Sequence, residues 1–192
     1  MTPTLNHPRL SDGVSARAYQ LLAAKQALSG SCLLVMPTGL GKTAVQWMTM
    51  AETLDKPGKI VLVAPTTGLV DQQARMAREF IDIDSEKIIT LTGQQRPHKR
   101  EELWKDAKII MATPHVIRND ARNGRILLSD VDLLIFDEAH HATGSDSMAQ
   151  LGDLYLQASS NALVLAATAS PGVKADKVLE VIDRLGIERV HV

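Results

Sequence analysis

The chain has 192 residues, enough for one domain with a real core and little room for a second. Its 21 basic and 22 acidic side chains leave a formal net charge of -1, so any contact with nucleic acid must come from local patches. A single cysteine, Cys32, excludes an internal disulfide and a cysteine-based zinc site and suits a reducing compartment.

The opening Met1-Thr-Pro-Thr-Leu-Asn-His-Pro lacks the basic-then-apolar pattern of a secretion signal, and no apolar run is long enough to span a bilayer. A soluble, cytoplasmic protein is expected, at the nucleoid in a prokaryote. The first helix is marked by Val14, Ala18, Leu21, Leu22, Lys25 and Leu28, which keep a helical rhythm after Ser11-Asp12-Gly13 and before Ser29-Gly30. Short apolar runs then recur at Cys32 to Met36, Ile60 to Ala64, Ile88 to Leu91, Ile109 to Ala112, Leu133 to Phe136, Leu163 to Ala167 and Ile187 to Val190. They are continuous aliphatic runs, which suits strands covered on both faces and hence a parallel sheet. Hydrophobic residues make up 45% of the chain and aromatic ones only 3%, so an aliphatic core is expected. Lys56-Pro57-Gly58 should end the helix after the first strand, Thr113-Pro114 reads as an N-cap with proline in the first turn, and Gly186 sits where a helix C-cap belongs. This βαβα order predicts an α/β fold: a doubly wound, mostly parallel sheet of about seven strands with helices on both faces.

Two segments carry chemistry. Met36-Pro37-Thr38-Gly39-Leu40-Gly41-Lys42-Thr43 lies between a buried strand and a helix starting near Lys42, the setting of a phosphate-binding loop. Glycines let successive N–H groups turn toward an anion, the helix N-terminus adds partial positive charge, Lys42 can neutralise terminal phosphates, and the Thr43 hydroxyl can ligate Mg2+. Met36 stands where the general pattern has its first glycine. The second segment, Leu133 to His140, is an apolar strand ending in two carboxylates: Asp137 can hold the Mg2+ shell, and Glu138 can orient and deprotonate an attacking water. Alone, that pair would read equally well as an acidic helix N-cap; a phosphate loop upstream in the same sheet favours the nucleotide reading. His140 and His141 lack the spacing and third ligand of a zinc site. Arg96, His98, Lys99 and Arg100 form one basic cluster and Arg118, Arg122 and Arg125 another, each either a nucleic-acid contact or a solvated helix face.

Taken in order, these segments resemble the first motor domain of superfamily 2 helicases, specifically the archaeal Hef and FANCM branch of DEAH-box type, over nearly the whole chain. The resemblance rests on Arg17-Ala-Tyr19-Gln20 as the adenine-reading element, Met36 to Thr43 as motif I, Val63 to Val70 as motif Ia, Leu91-Thr-Gly93, Ala112-Thr-Pro-His115, the Asp137-Glu-Ala-His140 box, and Thr168-Ala-Ser170 as motif III. It implies a RecA-like fold, with ATP and Mg2+ as cofactors. It implies Tyr19 and Gln20 at the adenine; Thr38, Gly39, Leu40, Gly41, Lys42 and Thr43 around the phosphates; Lys42, Asp137 and Glu138 in catalysis; and Thr43 with Asp137 at the metal. His140, Thr168 and Ser170 would couple nucleotide state to movement, and Pro65, Thr66, Gly93, Thr113 and Pro114 would follow the sugar–phosphate backbone of a bound strand. Thr67-Gly68, His115 and His141 stand where relatives often carry Lys-Pro, Gln and Arg, which implies a weaker grip.

The resemblance therefore implies that residues 1–192 are one RecA-like ATP-binding domain, the first of a two-domain motor whose second domain lies outside this chain. In the family that second domain supplies arginines to the transferring phosphate, and such an arginine is worth about a thousandfold or more in turnover. The expected function is the ATP-binding half of an ATP-dependent DNA helicase or translocase. It would act on single-stranded, forked or branched DNA in repair or replication restart, with RNA left open and no membrane partner; alone, the chain should bind MgATP and hydrolyse it poorly. The alternative is a nucleotide-gated binding or adaptor module without motor activity, against which the intact Glu138 stands. A small kinase would leave Thr168-Ala-Ser170 unexplained.

Overall fold

The computed structural model describes residues 7–11, 17–37, 41–169 and 175–192. Each apolar run is a strand: β1 (Cys32–Val35), β2 (Lys59–Val63), β3 (Ile88–Leu91), β4 (Ile109–Ala112), β5 (Val131–Asp137), β6 (Val164–Thr168) and β7 (Arg189–His191). They form one sheet in the order β3-β4-β2-β5-β6-β1-β7, and every neighbouring pair is parallel. Helices α1 (Ala18–Ser29), α2 (Lys42–Thr53) and α3 (Thr67–Phe80) cover one face. The other face carries α4 (Pro97–Asp106), α5 (Pro114–Arg122), α6 (Ser147–Ala158) and α7 (Ala175–Arg184). Along β2 and β5, Ile60, Leu62, Leu133 and Ile135 pack toward α1–α3, while Val61, Val63, Leu134 and Phe136 pack toward the other layer. Both parities of the strand are buried, which is why the sequence runs are continuous. Each such side chain contributes roughly 1.5–3 kcal/mol by its burial.

The first helix buries a different face from the one its leucines suggest. Gln20, Ala23, Ala24 and Ala27 are buried, whereas Leu22 is 52% exposed and Lys25 faces solvent; Val14 lies outside the described residues. Alanines let α1 sit close against α2, so side-chain size decides the face here more than hydropathy does. The expected punctuation is present elsewhere. Thr113 occupies the N-cap of α5 with Pro114 in the first turn, although the Thr113 hydroxyl makes no capping bond. After α7, Gly186 adopts φ 65°; its N–H donates to Asp183 O at 3.2 Å and the Ile187 N–H to Ile182 O at 2.9 Å. This Schellman cap turns the chain toward β7.

Two arginines of the basic clusters are tied to a buried carboxylate, and Arg100, itself buried, is thereby set aside as a nucleic-acid contact. Asp120 is 0% exposed, and it accepts from Arg100 Nε at 2.7 Å, Arg100 Nη2 at 2.8 Å and Arg125 Nη1 at 3.0 Å. A buried carboxylate needs these charge-assisted bonds, so the arginines are drawn inward. Arg118 and Arg122 share Gln150 Oε1 at 3.1 and 3.2 Å, and Arg122, like Arg96, His98 and Lys99, is exposed on the surface. Tyr155 ties the starts of two central strands: its hydroxyl donates to Val131 O at 2.8 Å and accepts from Leu163 N–H at 3.2 Å. Among the described residues no helix is long and apolar enough to cross a membrane.

Candidate functional site

Because all seven strands run the same way, their C-terminal ends and the loops that follow share one edge, where open α/β sheets bind ligands. β1 and β5 flank β6. Met36, just after β1, and Asp137, at the end of β5, therefore lie on either side of Thr168, the last residue of β6.

α2 starts at Lys42, with Gly41 in the left-handed region at φ 81° and ψ 36°. A Cβ at Gly41 would fall 2.0 Å from Gln20 Nε2, the end of a side chain that could shift, so it is the left-handed backbone angle that favours glycine here. Gln20, which is 5% exposed, donates from Nε2 to Gly41 O at 3.1 Å and accepts from Arg17 N–H at 2.8 Å. The glutamine expected at the adenine is thereby fastened to the start of α2. Tyr19 is half-buried beside it, its hydroxyl 3.4 Å from Arg17 Nη1. Thr38, Gly39 and Leu40 lie outside the described residues.

Lys42 reaches across to β5: its Nζ is 3.0 Å from Glu138 Oε1 and 3.6 Å from Asp137 Oδ1. Thr43 follows in the first turn of α2 and is half-buried. Asp137, itself 5% exposed, also faces Gln46 Nε2 at 3.3 Å on Oδ1 and Gln73 Nε2 at 3.5 Å on Oδ2. Glu138 has φ 56° and ψ 47° and is the only non-glycine residue with positive φ among the described residues. Such backbone costs on the order of 1–3 kcal/mol and gathers at functional sites, which singles Glu138 out independently of its charge. His140 Nδ1 lies 3.1 Å from Thr168 Oγ1 and 3.5 Å from Glu138 Oε2. Burial, and then the neighbouring His141, hold the His140 pKa below the ordinary imidazole value; the two rings lie 4.3 Å apart. Ser170 lies outside the described residues.

The residues expected along a nucleic-acid strand fall on the same edge, after β2, β3 and β4, on the half remote from Lys42. Thr66 and Gly93 are exposed and Pro65 is half-buried, whereas Thr113 and Pro114 are buried. The Thr66 hydroxyl caps α3 by accepting from Leu69 N–H at 3.2 Å. The motifs had not pointed to Gln46 and Gln73 beside Asp137. A signal existed for the first: Gln46 follows Lys42 by one helical turn, a polar residue on an otherwise buried stripe.

The residues fit a magnesium nucleotide. A cation, the Lys42 ammonium, is already held where the two carboxylates converge, beside the N-terminus of α2. Among the described residues no group of three or more His, Cys, Asp or Glu side chains is arranged to hold a metal alone, so a divalent ion would share its shell with phosphate oxygens.

The parallel doubly wound sheet, the Gly-Lys-Thr helix start and the Asp-Glu pair on one edge define a RecA-like domain of the phosphate-loop class. Residues 17–178 match the family described as DEAD/DEAH box helicase, and the chain belongs to that family. It is 43% identical over 190 residues to a Methanocaldococcus jannaschii protein whose name assigns it provisionally to the ATP-dependent RNA helicases, covering 98% of this chain and 24% of that protein. Over 180 residues it is 36% identical to the ATP-dependent DNA helicase MPH1 of Coccidioides immitis, covering 93% of this chain and 16% of that protein. The crystal structure of the Pyrococcus furiosus Hef helicase domain superposes with a TM-score of 0.88 at 42% identity, over 92% of this chain and 38% of that one. The chain thus spans about a quarter or less of the length of these curated relatives.

Proposed function

We propose that residues 1–192 form one RecA-like domain that serves as the nucleotide-binding half of an ATP-dependent DNA helicase or translocase. The observation that carries this reading is the convergence of Lys42, Asp137 and Glu138 at the N-terminus of α2. In it, Lys42 and Gly41, with Thr38, Gly39 and Leu40, bind the phosphates; Tyr19 and Gln20 meet the adenine; and Thr43 and Asp137 hold Mg2+. Bound Mg2+ supplies neutralisation of phosphate charge. Glu138 orients the attacking water and takes its proton. The His140–Thr168 contact, with Ser170, carries the state of the nucleotide toward the rest of the motor. Pro65, Thr66, Gly93, Thr113 and Pro114, on the loops after β2, β3 and β4, follow the backbone of a bound strand, which suits a motor indifferent to sequence.

DNA is the favoured substrate, single-stranded, forked or branched, because the likeness extends to several proteins named ATP-dependent DNA helicases, among them those of Coccidioides immitis and Neurospora crassa; two relatives' names give RNA instead. Among the described residues no arginine pairs with Asp137 or Glu138. In this reading the charge-stabilising arginine belongs to a second RecA-like domain in cis, and this chain alone binds MgATP while hydrolysing it poorly. The test is steady-state ATP hydrolysis with and without forked DNA beside a Glu138→Gln control, together with MgATP binding. Measurable binding with little turnover supports the reading. Robust DNA-stimulated turnover abolished by Glu138→Gln would overturn the incomplete-site part of it, and absence of MgATP binding would overturn the whole.

A further inference from the structure

Two side chains beside Asp137 have no part in the function proposed above. Gln46 lies on α2 and is 0% exposed; Gln73 lies on α3 and is 8% exposed. Gln46 Nε2 stands 3.3 Å from Asp137 Oδ1, and Gln73 Nε2 stands 3.5 Å from Asp137 Oδ2 and 3.5 Å from Gln46 Oε1. Each oxygen of a nearly buried carboxylate thus faces an amide nitrogen. Burying two primary amides is unfavourable unless their groups are used. Gln73 faces Asp137 and Gln46 through its N–H2 end, while its Oε1 has no hydrogen-bond partner among the described residues. An apolar side chain of similar size would fill the same space without that cost.

We infer that Gln46 and Gln73 are positioning residues that hold the Asp137 carboxylate in the orientation in which it serves a divalent cation; this rests on the function proposed above. Lys42 is the one cationic side chain paired with Asp137 among the described residues, and it is shared with Glu138. Once Lys42 is drawn to phosphate, the two amides are the donors left on Asp137. Neutral donors suit the task, since they orient a carboxylate without repelling an incoming divalent ion. They arrive from α2 and α3 while Asp137 ends β5, so three elements determine one rotamer.

The experiment uses this chain with Gln46→Met, Gln73→Met and, as reference, Asp137→Asn. Binding of a fluorescent ATP analogue is titrated with Mg2+, repeated in EDTA, and thermal melting is recorded without nucleotide. The expected result is a rise of about tenfold or more in the Mg2+ concentration giving half-saturation for each glutamine variant, with analogue binding in EDTA unchanged and melting unchanged or raised. A glutamine variant that titrates as the wild type while Asp137→Asn shifts the curve would overturn this inference alone; so would an equal loss of binding in EDTA. If Asp137→Asn leaves the magnesium curve unmoved, the nucleotide reading of the site falls and takes this inference with it. Should Gln46→Met at its enclosed position fail to fold, Gln73→Met, nearer solvent, decides the matter.

Discussion

Lys42 Nζ and Glu138 Oε1 lie 3.0 Å apart although 96 residues separate them in sequence. The group proposed to bind phosphate is thus paired with the group proposed to activate water, and nucleotide must compete with Glu138 for the ammonium. Glu138→Gln keeps the shape and removes the competing charge. Its MgATP affinity should equal that of the wild type or exceed it by up to about tenfold, whereas Lys42→Ala should lose at least about tenfold, the range of one charge-assisted bond. Isothermal titration calorimetry measures both; weaker binding by Glu138→Gln would contradict this account of the pair.

His140 stands between Glu138 and Thr168 with its pKa pushed below 6.5, first by burial and then by His141. Below pH 6.5 the unfolded chain takes up a proton that the folded imidazole resists, so stability falls as the solution is acidified through that window and is undiminished above it. The wild type should therefore lose more melting temperature between pH 7 and pH 5 than His140→Gln does, where both limits are about 1.5 units or less from the ordinary histidine value. Parallel curves for the two proteins would show that His140 does not titrate in this way.

Asp120 holds Arg100 in the interior and pairs with the half-buried Arg125. Removing one partner of a buried ionic group strands the other. Asp120→Ala should destabilise the domain by about 3–5 kcal/mol, read as a lower midpoint in urea. A change near zero would mean that the arginines find solvent at no cost.

The Tyr155 hydroxyl bridges Val131 and Leu163, and burial pushes its pKa up to about 12 from 10. Tyr155→Phe should cost about 1–2 kcal/mol at neutral pH through two lost hydrogen bonds. The folded phenol keeps its proton where the unfolded one loses it, so the tyrosine's contribution is complete below pH 10 and declines as pH rises toward 12. Denaturant midpoints of the two proteins should converge over that interval; a constant difference would contradict the shift.

The amino-acid sequence alone determined the elements of this protein and the chemical content of its site. Strands covered on both faces must be apolar at both parities, so Ile60 to Ala64 and Leu133 to Phe136 declared themselves. Gly41-Lys42-Thr43 and Asp137-Glu138 did so because a phosphate loop and a strand-end acidic pair are local patterns, as are Thr113-Pro114 and Gly186. Tertiary structure decided what periodicity and local chemistry do not encode. It placed β6 between β1 and β5, chose the alanine face of α1 over its leucines, and drew Arg100 inward to Asp120. It also put Glu138 in a left-handed conformation and brought Gln46 to Asp137 across 91 residues of chain. Each of these depends on which surfaces meet through space, and a charge or an amide finds its partner only after the sheet has ordered its strands.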